Sequence, residues 1–182
     1  MEGQALAAGA RMELRDGWNV AVAYPGAAPD APVAWADVSH VRKLEVAGAH
    51  ELSFGTATRM NGAWWCPVTR ERTLVIGSAD VEALEVTTTL AALAIVGPQA
   101  RELIARFCAL DLRPQSMPVA GFRPGSLART PGYVLREDSD RFLMLFGWAL
   151  GEYMWTVVAD AAEALGGAPV GVDALEREVA RA

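Results

Sequence analysis

Apolar and polar positions change period several times along this chain, and between Leu90 and Val172 the changes spell out an order of elements. Leu90 to Val96 (LAALAIV) is almost continuously apolar, as an interior strand covered on both faces should be. Gly97-Pro98 punctuates the run, and proline suits the first position of a helix. Ala100, Leu103, Ile104, Phe107 and Cys108 then recur at spacings of three and four, with Arg101, Glu102 and Arg106 between them, which predicts an amphipathic helix. After the proline-studded connection RPQSMPVAGFRPG, the segments SLARTPGYVLRE and RFLMLFG read as two strands joined across the polar turn Asp138-Ser139-Asp140. Ala149 to Leu165 predicts a second helix with Leu150, Tyr153, Met154, Val157, Val158, Ala161 and Leu165 on its apolar face, stopped by Gly166-Gly167. Trp148 and Trp155, seven apart, are expected on one face. APVGV gives a last strand, and DALEREVARA opens a terminal helix capped by Asp173. The order β-α-β-β-α-β is that of a ferredoxin-like unit.

The pattern ahead of Leu90 is mostly extended. Residues 1–16, rich in Ala and Gly, are expected as a flexible arm. WNVAVAY alternates as a strand, and the prolines of PGAAPDAP mark a loop. Asp37-Val38-Ser39-His40 reads as a turn. In the strand that follows, Val41, Lys43 and Glu45 alternate with Arg42, Leu44 and Val46, which leaves Val41 on the charged side. ELSFGTAT, AWWCPV and TLVIG continue as strands and turns. Asn61-Gly62 predicts a tight hairpin, because both residues tolerate positive φ. Ser78 to Val86 predicts a short helix with Ser78 as its cap. The expected class is α+β with antiparallel sheets. Residues 17–182 form one domain, divided into a mostly β first half (17–88) and a ferredoxin-like second half (89–182).

Composition changes this picture mainly by exclusion. Of 182 residues 52% are apolar and 21% charged, enough for a sizeable core. A formal charge of −6, with Lys and Arg scattered beside acids, excludes a nucleic-acid backbone as partner. No apolar run reaches membrane-spanning length and no basic start precedes an apolar stretch, so the expected location is the cytoplasm, with no membrane partner. Cys66 and Cys108 match no metal or redox spacing and are expected to be packed. His40 and His50, with no clustered carboxylates, make no metal site. His40 has the pKa range of an acid–base catalyst, but Asp37 to His40 is better read as a turn whose side chains bond nearby backbone. Ser39, His40 and an aspartate lack the strand–elbow–helix context of a hydrolase.

Three segments carry a resemblance to a family. Trp35-Ala36-Asp37-Val38-Ser39-His40 through Lys43-Leu44-Glu45-Val46-Ala47-Gly48 is similar to its opening motif, and Ile95-Val96-Gly97-Pro98-Gln99-Ala100 to its central one. Arg129-Thr130 to Glu137, with Trp155 and Gly167-Ala168-Pro169-Val170-Gly171, resembles its last. The family is that of the tetrahydrofolate-binding domain of the glycine-cleavage T-protein, an aminomethyltransferase, and of the sarcosine oxidase gamma subunit. The resemblance covers most of residues 35–176 and implies ferredoxin-like halves, as read above.

It also implies site residues. Glu137 matches the family's pterin-facing glutamate and Arg129 the arginine beside it, while Tyr133 opens the altered Tyr-Val-Leu-Arg-Glu version of the family's loop. Trp64, on the hairpin that lines the family's folate site, would be a stacking platform. A carboxylate suits a pterin because its two oxygens accept from the ring N–H and the exocyclic amine together. Against these stand plainer readings: Glu137 in solvent, Arg129 paired with Glu137, and Trp64 in the core.

The departures bear on activity. The family's hairpin carries a catalytic aspartate pair, yet no carboxylate occurs from Thr56 to Arg70. No catalytic residue can therefore be assigned. The character is that of the gamma subunit, which implies a non-catalytic accessory chain or degenerate folate module in one-carbon metabolism of glycine or sarcosine. A larger oxidase or transferase subunit is then the expected partner, and tetrahydrofolate the one cofactor to consider. Two alternatives stay open: an active transferase using Glu137 with Asp37, and a stand-alone homodimeric scaffold without folate, the partner then being a second copy in a homo-oligomer.

Overall fold

The computed structural model describes residues 1–26, 31–48 and 51–179, so part of the PGAAPDAP loop and His50 lie outside the described residues. Its first elements are α1 (Glu2–Ala7), β1 (Arg11–Arg15) and β2 (Trp18–Ala23), followed by β3 (Ala34–Asp37) and β4 (Lys43–Ala47). Then come β5 (Thr58–Met60), β6 (Ala63–Thr69), β7 (Arg72–Ile76), β8 (Leu84–Glu85) and β9 (Leu90–Val96). The rest comprises α2 (Ala100–Ala105), β10 (Phe122–Leu127), β11 (Thr130–Asp138), β12 (Arg141–Gly147), α3 (Gly151–Glu163), β13 (Ala168–Pro169) and α4 (Val172–Val179).

Two sheets face each other. One runs β10-β11-β12-β9-β3-β13, antiparallel except where β13 lies parallel to β3. The other is antiparallel and runs β5-β6-β7-β4-β8. The α+β class and its antiparallel, ferredoxin-like second half hold, with β3 from early in the chain inserted between β9 and β13.

The continuous apolar run of β9 now has its cause. Ala91, Leu93 and Ile95 pack under α2 and α3, while Ala92, Ala94 and Val96 face the second sheet. β12 divides likewise, Phe142, Met144 and Phe146 on the helix side and Leu143 and Leu145 between the sheets. A third, smaller core of Leu44, Val46, Ala63 and Val75 lies on the outer face of the second sheet.

Four expectations are corrected. Residues 1–16 are no flexible arm: α1 buries Ala5 at 1% exposure, and β1 pairs with β2 across Asp16-Gly17, whose φ values of 50° and 82° make a two-residue hairpin. Ser78 to Val86 forms no helix. Ala79, Val81 and Ala83 alternate over the outer core, β8 extends the edge of β4, and Val86 N–H donates to the Lys43 carbonyl at 2.9 Å.

SLARTPGYVLRE is two strands, not one. Ala128 and Arg129, at φ 47° and 67°, turn β10 into β11, a hairpin that no glycine or asparagine announced. β10 tolerates Pro124 because it is an edge strand. Finally, Trp148 and Trp155 do not share a face. Trp148 sits in a 3-10 turn ahead of α3 at 67% exposure, whereas Trp155 is buried edge-on against Trp35 at 6.0 Å.

Candidate functional site

The hairpin of β5 and β6 turns at Asn61-Gly62, with φ of 50° and 84°, as its sequence predicts. Side chains alternate along β6, so the adjacent tryptophans part: Trp64 points between the sheets and Trp65 to the outer core. Opposite Trp64, the pairing of β11 with β12 slips between Arg136 and Asp138, leaving Glu137 as the extra residue of a bulge. Bulges of this kind re-aim a side chain. Here the indole Nε1 of Trp64 donates to Oε1 of Glu137 at 3.0 Å, and Nε of Arg141 donates to Oε2 at 3.0 Å.

These groups line a cavity of about 160 Å³ with Lys43, Arg59 and Leu143. The Arg59 guanidinium lies over the Trp64 ring, 5.5 Å from its centroid. Lys43 is fully buried, and its Nζ donates to the carbonyls of Ser39 (2.9 Å) and Val41 (2.8 Å). Burial pulls its pKa down to about 8 against the opposing pull of Asp37. Cys66, also fully buried, has its thiol pKa pushed up by burial and then by Glu137, so it is packed rather than reactive.

Of the sequence-predicted residues, Trp64 and Glu137 come together. Tyr133 does not join them; it stacks on Phe122 at 5.2 Å, in the inter-sheet core farther along β11. Arg129 lies in the β10–β11 turn beside a separate open groove with Arg106, Phe107 and Tyr153, and forms no pair with Glu137. Asp37 and His40 line another cavity, of about 360 Å³, with Trp18 and Trp148. Within their turn Ser39 N–H donates to Asp37 Oδ1 at 2.9 Å, as the turn reading expects, while Ser39 Oγ reaches across to β9 and accepts from Ala92 N–H at 3.0 Å. Among the described residues, no three His, Cys, Asp or Glu side chains cluster as metal ligands, and no helix is long and apolar enough to cross a membrane.

Lys43, Arg59 and Arg141 are the site residues that sequence reading missed. A signal for Lys43 existed: Val41, its neighbour at spacing two, broke the charged face, because that face of the strand is buried between the sheets.

The fold and the cleft define an α+β protein of two facing sheets with a mixed-charge cavity between them, and solved structures share this architecture. A chain of the heterotetrameric sarcosine oxidase from Corynebacterium sp. U-96, in complex with pyrrole 2-carboxylate, superposes with a TM-score of 0.69 at 15% identity, over 77% of this chain and 88% of that one. The glycine cleavage system aminomethyltransferase T from Bartonella henselae superposes with a TM-score of 0.72 at 15% identity. That match takes in 94% of this chain and spans 58% of the transferase's length. The chain is similar to both in fold, as the sequence motifs anticipated. No family model and no curated protein matches the sequence.

Proposed function

We propose that this chain is a non-catalytic accessory subunit with the aminomethyltransferase fold, serving a larger cytoplasmic oxidase or transferase of one-carbon amine metabolism. The observation that carries the reading is the state of Glu137. Both its oxygens are engaged, by Trp64 and by Arg141, at the position where the resemblance calls for a carboxylate open to a pterin. The cavity, at about 160 Å³, falls short of the roughly 300 Å³ at which sites for ligands the size of a folate begin. The residues present therefore do not fit tetrahydrofolate. Asp37 and Glu137 line different cavities, which argues against a transferase that uses the two together. The likeness to a chain of a heterotetrameric oxidase over most of that chain's length supports the accessory role.

Titration with a stable reduced folate, followed by tryptophan fluorescence, tests this. The expected result is no saturable quenching up to millimolar folate. Saturable quenching that vanishes in Glu137→Gln would instead establish a working folate site.

A further inference from the structure

The cavity at Trp64 has a chemistry of its own, whether or not the accessory reading is right. Its charged lining is Lys43, Arg59, Arg141 and Glu137, three cations against one carboxylate. That carboxylate is already met by Arg141 and Trp64, and Asp37, which also acts on Lys43, stands outside the lining, so the lining itself carries an excess of positive charge. Donors are also left over. An ammonium has three N–H groups, and Lys43 uses two of them on backbone carbonyls. Arg141 bonds Glu137 through Nε, with no acceptor for its terminal nitrogens among the described residues, and Arg59 lies over the Trp64 ring. A fully buried ammonium with an unused donor costs stability unless something accepts from it. Val41, Ile76 and Leu143 supply apolar walls beside these donors.

We propose that this cavity is a binding site for a short-chain monocarboxylate, its carboxylate held by Lys43 and Arg141 and its aliphatic end against Val41, Ile76 and Leu143. Arg59, exposed on the hairpin, stands at the rim and attracts the anion. The apolar walls favour a carboxylate over inorganic phosphate, whose oxygens would meet hydrocarbon on one side. Volume limits the tail: about 160 Å³ takes an acid of two to four carbons, on the order of five water volumes.

The test follows the indole N–H resonance of Trp64 in the ¹⁵N-labelled full-length chain, identified by its loss in Trp64→Phe. Sodium propionate, phosphate and chloride are added at matched ionic strength. Propionate is expected to give a saturable shift at millimolar concentration that the other two salts do not reproduce. Arg59→Gln, a change at an exposed position, should weaken binding about threefold, and Lys43→Met about tenfold or more. If Lys43→Met fails to fold, Arg59→Gln decides alone. An identical shift with chloride, saturation by phosphate only, or propionate affinity unchanged in the variants would each overturn the assignment. This readout is separate from the folate titration, so the two proposals can fail independently.

Discussion

Trp64 and Glu137, 73 positions apart, join the two sheets through one hydrogen bond of 3.0 Å. The donor stands on a strand of the first half and the acceptor on a bulge of the second, so the bond adds a polar tie to the apolar core that the two halves share. An indole N–H on a partly buried carboxylate is charge-assisted and stronger than a neutral pair.

Removing either partner should therefore show in stability. Trp64→Phe and Glu137→Gln are each expected to cost about 2 kcal/mol in urea unfolding. The double variant should cost less than the sum of the two, by about 1 kcal/mol, because each single change already breaks the shared bond. Strict additivity would mean that the bond contributes nothing.

Lys43 predicts a pH dependence of defined sign. Its pKa is about 8 when folded and 10.5 in its unperturbed state. Between those values the unfolded chain holds a proton that the folded chain lacks, so this residue's contribution to stability rises with pH across the window. The wild type should gain on Lys43→Met between pH 7 and 10, by on the order of 3 kcal/mol. Taking the difference cancels the opposite drift from Cys66 and Tyr24, whose raised pKa values penalise the folded state at high pH. A difference that is flat or falls with pH would contradict a buried, destabilised ammonium.

The two tryptophans around α3 should behave unlike each other. Trp155→Ala empties the contact with Trp35 and is expected to cost about 3–5 kcal/mol, while Trp148→Ala, at an exposed site, should stay within about 0.5 kcal/mol. Thermal unfolding of the pair checks both.

Gly171 is pressed against the backbone of β2. A Cβ there would lie 1.9 Å from the carbonyl oxygen of Val22. Gly171→Ala must push α4 off β2, which should cost about 3 kcal/mol or prevent folding. Wild-type stability in this variant, read by urea unfolding, would refute that close approach.

Much of the architecture was legible because burial on both faces leaves an unmistakable text. The run of β9 is apolar throughout and that of β12 from Phe142 to Phe146, and α2 and α3 repeat at three and four. Asn61-Gly62 named its own turn, whereas the hairpin at Ala128-Arg129 did not, since its positive φ values are imposed by the strands on either side. The segment 78–86 misled because its acids and small residues suit a helix cap as well as a strand edge; the open side of β4 decided. At the site, Trp64 and Glu137 were found through motif resemblance. Lys43 and Arg141 were not, because a cation facing inward reads like one facing water until the opposing sheet is in place, and Arg59, exposed on its strand, reads as an ordinary surface charge. Tyr133 and Arg129 share a strand and a turn with the motif, but strand geometry carries them away from Glu137.

The insertion of β3 between β9 and β13 also sets a schedule for folding. Ala168 pairs with Ala34, about 130 residues earlier, and β13 meets the sheet nowhere else. On a ribosome, the strand at residues 34–37 must wait through the synthesis of nearly the whole chain before its last neighbour emerges. Closure of that long loop is an entropic barrier placed at the end of the pathway. A chain shortened past Asp37 would deprive β13 of its neighbour and expose β9 as a bare apolar edge, the kind of surface on which chains associate.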